Sequence, residues 1–329
     1  MATYKEIQGY TVQNLSSDST SEGQVFYNTA DNKFKLATLY STGAFATGGN
    51  LTTARSWPRG FGTYTAGVAA GGTVPPYQQT EEYDGTSWTG GGNMGTGRMR
   101  GATGGLSPQT AGIYFGGRIP PGTLYTNTEE YDGSSWTAGG AMPGTRDGPG
   151  GAGTQTAALA FGGKSGTFID TSIEYDGSSW TAGGTMGTAI YNFGSAGSQT
   201  SGLGFGGENA PTPTNITQSY NGSSWTAGGT LNTSRYSLAG AGTDNESAIA
   251  FGGASPPGAP SEVVVEMYDG SSWTNTTSLP SHQSSAGGFG TTTNAVTCGG
   301  YSTPGGGNLA TTFEWSGPGA QKVEDIDVT

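Results

Sequence analysis

The chain has 329 residues, 63 of them glycine, with charged residues at only 11% and a formal net charge of −12. Acidity of this size repels phosphate backbones and argues against nucleic acid as a partner. No apolar run approaches the ~18 residues that a membrane helix needs, so no membrane insertion is expected. One Cys and one His exclude a disulfide framework and a His- or Cys-based metal cluster, and no cofactor is expected.

Glycine-rich, weakly charged chains often read as disordered, but 7 Trp, 16 Tyr and 12 Phe recur here at regular places. Aromatics at fixed intervals between glycine turns predict many short strands. Taken in chain order, residues 1–32 come first. Their opening has no apolar core of the signal-peptide type, so synthesis in the cytoplasm is expected. The string "GQVFYNTADNKFKLAT" predicts a β-hairpin turning about Asp31-Asn32.

A repeat begins near residue 33. Its first copy, "YSTGAFATGG", is degenerate, with Tyr40 and Phe45 at positions that later hold Tyr and Trp. Trp88, Trp136, Trp180, Trp225 and Trp273 follow at intervals of 48, 44, 45 and 48 residues, in strings such as "EYDGSSWTAGG". Between them lie six apolar strands ending in Gly-Gly: "GVAAGG", "GIYFGG", "ALAFGG", "GLGFGG", "AIAFGG" and "AVTCGG". A partial copy, "FEWSGPG", places Trp315 at the Tyr position, and residues 319–329 form a short acidic tail. Strand-rich repeats of this period predict propeller blades of four strands. Six Gly-Gly strands against seven aromatic turns imply six blades closed by exchange, with segment 45–49 completing the blade that contains Cys298. Closure of this kind removes open sheet edges. The expected organisation is an extension at 1–32, a propeller at 33–318 and a tail at 319–329.

The apolar strand with Gly-Gly, the Tyr and Trp that follow, and an Arg opening the next unit together resemble the kelch repeat over about residues 34–318. The resemblance implies an all-β, six-bladed kelch-like β-propeller with a small N-terminal hairpin extension. The chain departs from animal kelch proteins in its Gly/Ser/Thr bias and in lacking an adaptor domain. Its opening, "MATYKEIQGYTVQNLSSD" and "GQVFYNTADNKFKL", ahead of "GSSWTAGG", "AGAGT" and "AFGG", resembles the kelch-like structural proteins of tailed, especially marine, phages. That resemblance implies a non-enzymatic virion component: a tail fibre, an appendage or a capsid decoration protein. The N-terminal segment would dock on other virion proteins, the propeller loops would meet host cell-surface polysaccharide or a further virion protein, and a homo-oligomer stays open. A virion-borne polysaccharide-degrading enzyme and a cellular interaction propeller are the alternatives.

Within a blade, numbering strands from the axis outward, length variation concentrates in the loops between the second and third strands, such as "TVPPYQQT", "RIPPGTLYTNT" and "KSGTFIDT". Scaffolds vary where they bind or where nothing constrains them. The prolines of these loops, which reduce the entropy lost on ordering, favour binding and make Tyr77, Arg118, Tyr125 and Phe168 candidate ligand contacts. Arg55, Arg98, Arg146 and Arg235 open innermost strands, while Ile190 and Gln283 replace the Arg in two blades. Two readings of this set stay open. Each Arg is satisfied by carbonyls or by a carboxylate such as Glu82, Glu130 or Glu174, or the set binds an anionic ligand, for example an acidic sugar, at the mouth of the axial channel.

Conventional catalysis finds little support. Asp84, Asp132, Asp176 and Asp269, with Asn221 at the equivalent place, lie one per blade before Gly and read as turn formers. Their spacing to Trp does not match the sialidase Asp-box, and the chain cannot supply the ligands of the kelch-type copper oxidases. His282 reads as a solvated loop residue and Cys298 as a buried, inert thiol. The triplets at Asn215, Asn232 and Asn245 read as chance in a Ser/Thr-rich chain.

Overall fold

A computed structural model describes residues 13–16, 24–39, 42–209, 212–255, 260–318 and 321–326, which are strands, turns and loops without a helix. They fall into two compact units: Phe45–Trp315, and the residues up to Ala44 together with those from Ser316.

The larger unit is a β-propeller. The first blade runs, from inside out, Arg59–Thr63, Ala66–Ala70, Thr80–Tyr83 and Trp88–Gly90. The next four blades begin with Ala102–Thr103, Gly150–Thr154, Gly194–Ser198 and Ala239–Gly242. The sixth joins Gly287–Gly290, Asn294–Cys298 and Thr312–Ser316 to Ala44–Thr47 from the start of the chain, which is the closure the sequence predicts. The six innermost strands touch in sequence, and the sixth touches the first, so the ring is complete. Second strands are buried on both faces, for example throughout Gly112–Phe115, because each sheet is covered by a blade on either side.

The repeated string is the lock between blades. Tyr and Trp face each other across the outer two strands, with ring centroids 4.9 Å apart for Tyr131 and Trp136. Each Trp Nε1 donates to a hydroxyl of the preceding blade: Trp88 to Thr312 and Trp136 to Thr80, both at 2.9 Å. Trp180, Trp225 and Trp273 do the same to Thr128, Ser172 and Thr217. Tyrosines follow suit. Tyr131 donates to Glu82, Tyr175 to Glu130 and Tyr220 to Glu174 at 2.5–2.6 Å, and Tyr83 donates to Glu314 across the closure. Burial, then the carboxylate partner, raises the Tyr175 phenol to about 12. The final Gly-Gly of the string makes room for the neighbour. A Cβ on Gly140 would lie 2.0 Å from the Ser178 carbonyl oxygen in the next blade's turn.

The acidic turn residues behave as turn formers. The Asp176 Oδ1 accepts backbone N–H groups from Ser178 at 2.8 Å and Ser179 at 2.7 Å, and Asp132 repeats the pattern. Cys298 is fully buried, and burial pushes its thiol up to about 12.

The smaller unit is one sheet in the order Gln13–Leu15, Val25–Asn28, Lys33–Leu39, Gln321–Asp325. The expected hairpin is present, with Asn32 in the left-handed region at φ 56°. The expected boundaries at 32 and 319 are corrected: the division falls after Ala44 and at Ser316. The tail is no appendage, since Gln321–Asp325 pairs antiparallel with Lys33–Leu39, Leu39 opposite Gln321 and Lys35 opposite Asp325. A lone hairpin leaves the outer edge of its second strand with unpaired N–H and C=O groups, and the tail satisfies them.

Asp176 is held down to about 2 from the model-peptide value of 3.8, by the Ser179 backbone N–H first and the Ser178 hydroxyl next; Asp84, Asp132 and Asp269 are lowered by the same kinds of bond. A depressed carboxylate pKa gives stability that is complete above the unfolded value and lost as pH falls through the folded one. Urea midpoints should therefore stay level from about pH 6 to about pH 4 and decline below it. Thr312→Val should cost about 1–3 kcal/mol by orphaning Trp88 Nε1. Adding Trp88→Phe should cost less than the two single changes summed, as a double-mutant cycle in urea would measure.

Candidate functional site

The chain enters each innermost strand through a short segment that begins at the Arg position. The residue after that position bridges to the residue following Gly-Gly: Met99 to Arg118, Asp147 to Lys164, Tyr191 to Glu208, Tyr236 to Ala254 and Ser284 to Tyr301. The next residue has left-handed backbone in every blade: Trp57 (φ 60°), Arg100 (60°), Gly148 (57°), Asn192 (54°), Ser237 (57°) and Ser285 (54°). Five of the six donate their N–H to the carbonyl of the counterpart in the preceding blade: Trp57 to Ser285, Ser285 to Ser237 and Ser237 to Asn192 at 2.7–2.8 Å, Asn192 to Gly148 at 3.3 Å and Gly148 to Arg100 at 2.8 Å. This belt surrounds the axial mouth on the variable-loop face. A Trp and an Arg in the left-handed region cost energy that small residues avoid, and such strain concentrates at functional sites.

The mouth has two chemically different halves. On one side Asp147, 5% exposed, accepts the Tyr191 hydroxyl at 2.9 Å and stands 3.8 Å from Arg100 Nη1 and 3.7 Å from Arg118 Nε. The Arg100 guanidinium covers the Trp57 ring at 4.4 Å and approaches Tyr191 at 5.1 Å. Phe168 stacks on Tyr191 at 5.9 Å, with the Lys164 ammonium 5.3 Å from the Phe168 ring. Burial raises the pKa of Glu208 against the opposing pull of Arg100 and Lys164.

The other half is neutral. A groove of about 550 Å³ is lined by Trp57, Tyr236, Pro260, Tyr301 and Pro304 with Ser56, Ser237, Ser261, Ser284, Ser285 and Thr303. Among the described residues, the hydroxyls of Ser237, Ser285, Tyr236 and Tyr301 have no protein partner, and Tyr301 is among the most exposed large apolar side chains. His282 stands beside this groove, half-buried rather than solvated, because its Nδ1–H donates to the Ser261 carbonyl.

The candidates chosen from sequence divide accordingly. Arg55, Arg98, Arg146 and Arg235 are buried and turn outward into their own blades. Arg55 pairs with Glu81 at 2.5 Å and donates to Ala69 O; Arg98 pairs with Glu129 and donates to Tyr114 O. Arg235 pairs with Glu266 at 2.9 Å, while Arg146 is held by Gly162 O and Thr171, and burial lowers its pKa to about 10. The expected carboxylates Glu82 and Glu130 are one position from the true partners, and the position before Glu174 is Ile173, so Arg146 has no carboxylate partner among the described residues. Adjacent strand residues point to opposite faces, so Glu81 and Glu129 meet the Arg while Glu82 and Glu130 meet the neighbouring tyrosine. Arg118 and Phe168 join the charged half of the mouth. Tyr77 (φ 66°) and Tyr125 are half-buried in their loops, where their backbones bond Val74 and Gly117. Sequence reasoning passed over Trp57, Arg59, Arg100, Asp147, Lys164 and Tyr191. For Trp57, Arg59 and Arg100 the available signal was that they interrupt positions that other blades fill with Gly, Ala, Ser or Asn, whereas Asp147, Tyr191 and Lys164 stand at positions that vary from blade to blade.

A structure titled "Structure of YjhT" is similar to this chain, with a TM-score of 0.68 at 12% identity, covering 84% of this chain and 99% of that one. At that identity the likeness is one of fold. No family model matches, and no curated protein matches either.

Glu129→Gln should leave a buried, uncompensated Arg98 and cost about 3–5 kcal/mol in urea unfolding at neutral pH.

Proposed function

We propose that the chain is a non-enzymatic structural protein of a phage virion whose propeller presents its loop face to a host-surface glycan. The observation that carries the binding half is the groove, in which aromatic rings and unpaired hydroxyls line one concavity without a charged side chain among the described residues. Sugars present apolar C–H faces and rings of hydroxyls, and such a lining offers stacking and hydrogen bonds to both. The kelch-like, phage-like opening and repeat motifs support the virion half. So does the separate sheet built from both ends of the chain, which provides a docking element distinct from the propeller itself.

Trp57→Ala and Tyr301→Ala should each weaken binding to polysaccharide extracted from host cells by roughly tenfold or more, read by affinity electrophoresis. The protein should also co-sediment with purified particles, and removal of residues 1–41 with 319–329 should release it.

A polysaccharide-cleaving enzyme is the second reading, favoured by the raised pKa of Glu208 beside the ionic cluster. A carboxyl poised this way can serve as a general acid. Release of reducing ends by the intact chain, lost in Glu208→Gln, would favour that reading over simple display.

A further inference from the structure

Eight cations lie between Phe45 and Trp315. Four of them, Arg55, Arg98, Arg146 and Arg235, are consumed inside their own blades. The other four, Arg59, Arg100, Arg118 and Lys164, converge on one half of the axial mouth. In an acidic protein that concentration needs a reason, and the carboxylates present do not supply it. Among the described residues Asp147 is the one acid within ion-pair distance of any of the four, and it reaches Arg100 and Arg118 at 3.8 and 3.7 Å, beyond hydrogen-bond length.

Arg59 is the most telling member. It opens the first blade's innermost strand, where the other blades have Ala102, Gly150, Gly194, Ala239 and Gly287, and it lines the axial channel. Its Nε donates to Gly101 O at 2.6 Å, its only hydrogen bond among the described residues, and no carboxylate lies within ion-pair reach of its guanidinium. Burial first, and the nearby Arg100 charge with it, lowers its pKa, against the opposing pull of Tyr114 and of the more distant Asp147. Both guanidinium groups attend one indole, Arg100 at 4.4 Å and Arg59 at 5.7 Å from the Trp57 ring centroid. The same Trp57 lines the neutral groove. A ligand lying in the groove therefore ends beside two guanidinium groups.

We infer that Arg59 and Arg100 form an anion subsite for the carboxylate of an acidic sugar, whose chain continues over Trp57 into the neutral groove. The inference rests on the glycan-binding reading above and narrows it from glycans in general to uronic-acid-containing ones. Guanidinium is suited to the role, since its planar donors match a carboxylate in pairs and the group is weakly hydrated.

The test is calorimetric titration of the full chain with tri-galacturonate, with its methyl ester, and with citrate as a carboxylate that is not a sugar. The acid should bind at least about tenfold more tightly than the ester, the difference expected of one charge-assisted contact. Arg59→Gln and Arg100→Gln should each abolish most of that preference, and near-UV circular dichroism would establish that both variants keep their fold. Equal binding of acid and ester, or a preference unchanged in both variants, would overturn the anion subsite and leave glycan binding standing. Binding of citrate without either sugar would overturn the acidic-sugar assignment together with the glycan reading. Absence of binding by all three probes would overturn the subsite.

Discussion

Everything in the propeller depends on one blade completing the next. A four-stranded sheet with strands of three to five residues, like the first blade, has too little surface to bury by itself. Its polar aromatic edges, Trp Nε1 and Tyr hydroxyl, find acceptors on the preceding blade, Tyr268, which donates to Gly270 O in its own blade, being the exception. Buried donors without acceptors are expensive, so the circle must close, and Trp88 and Tyr83 must reach Thr312 and Glu314 near the opposite end of the repeats. The exceptions follow the same logic. The sixth blade takes its outer strand from the chain's beginning, where Phe45 replaces Trp and cannot donate. The fifth blade accordingly has Val265 where other blades have a hydroxyl, and Asn275-Thr276-Thr277 where others have Ala-Gly-Gly, Gly-Gly-Gly or Thr-Gly-Gly. No tight turn of the sixth blade presses there, because that turn is the gap between the two ends of the repeat array.

That pattern explains how much could be read in advance. Aromatic spacing and Gly-Gly strands reveal the blade, its strand order and the closing strand, because each repeats with the period of the structure. The turn role of Asp132 and its counterparts is legible for the same reason. The arginine partners are harder. Whether Arg98 meets Glu129 or Glu130 depends on which face of a strand looks inward, and a one-residue slip exchanges the faces. The mouth is harder still, since Arg100, Asp147, Tyr191 and Lys164 come from three blades and meet only after the ring closes. The tail's pairing with Lys33–Leu39 joins segments from opposite ends of the chain, which no local pattern reports.

The same residue type serves two purposes here, and context separates them. Arg98 is enclosed, paired and bonded to Tyr114 O, so its charge is spent on holding the strand-one approach to its own blade. Arg100, two residues later, has left-handed backbone, lies against an indole and retains an unbonded Nε. Periodic residues build the ring and aperiodic ones dress its mouth. Substituting the former changes stability, and substituting the latter changes the charge and shape of the mouth.

The sheet that joins the two ends of the chain has a topological meaning. Lys33–Leu39 and Gln321–Asp325 run antiparallel, with Lys35 opposite Asp325 at the end from which both flanking segments leave. The ring's own closing strand, Ala44–Thr47, lies behind this junction along the chain. The small sheet thus stands, along the chain, between each end and the strand that closes the ring.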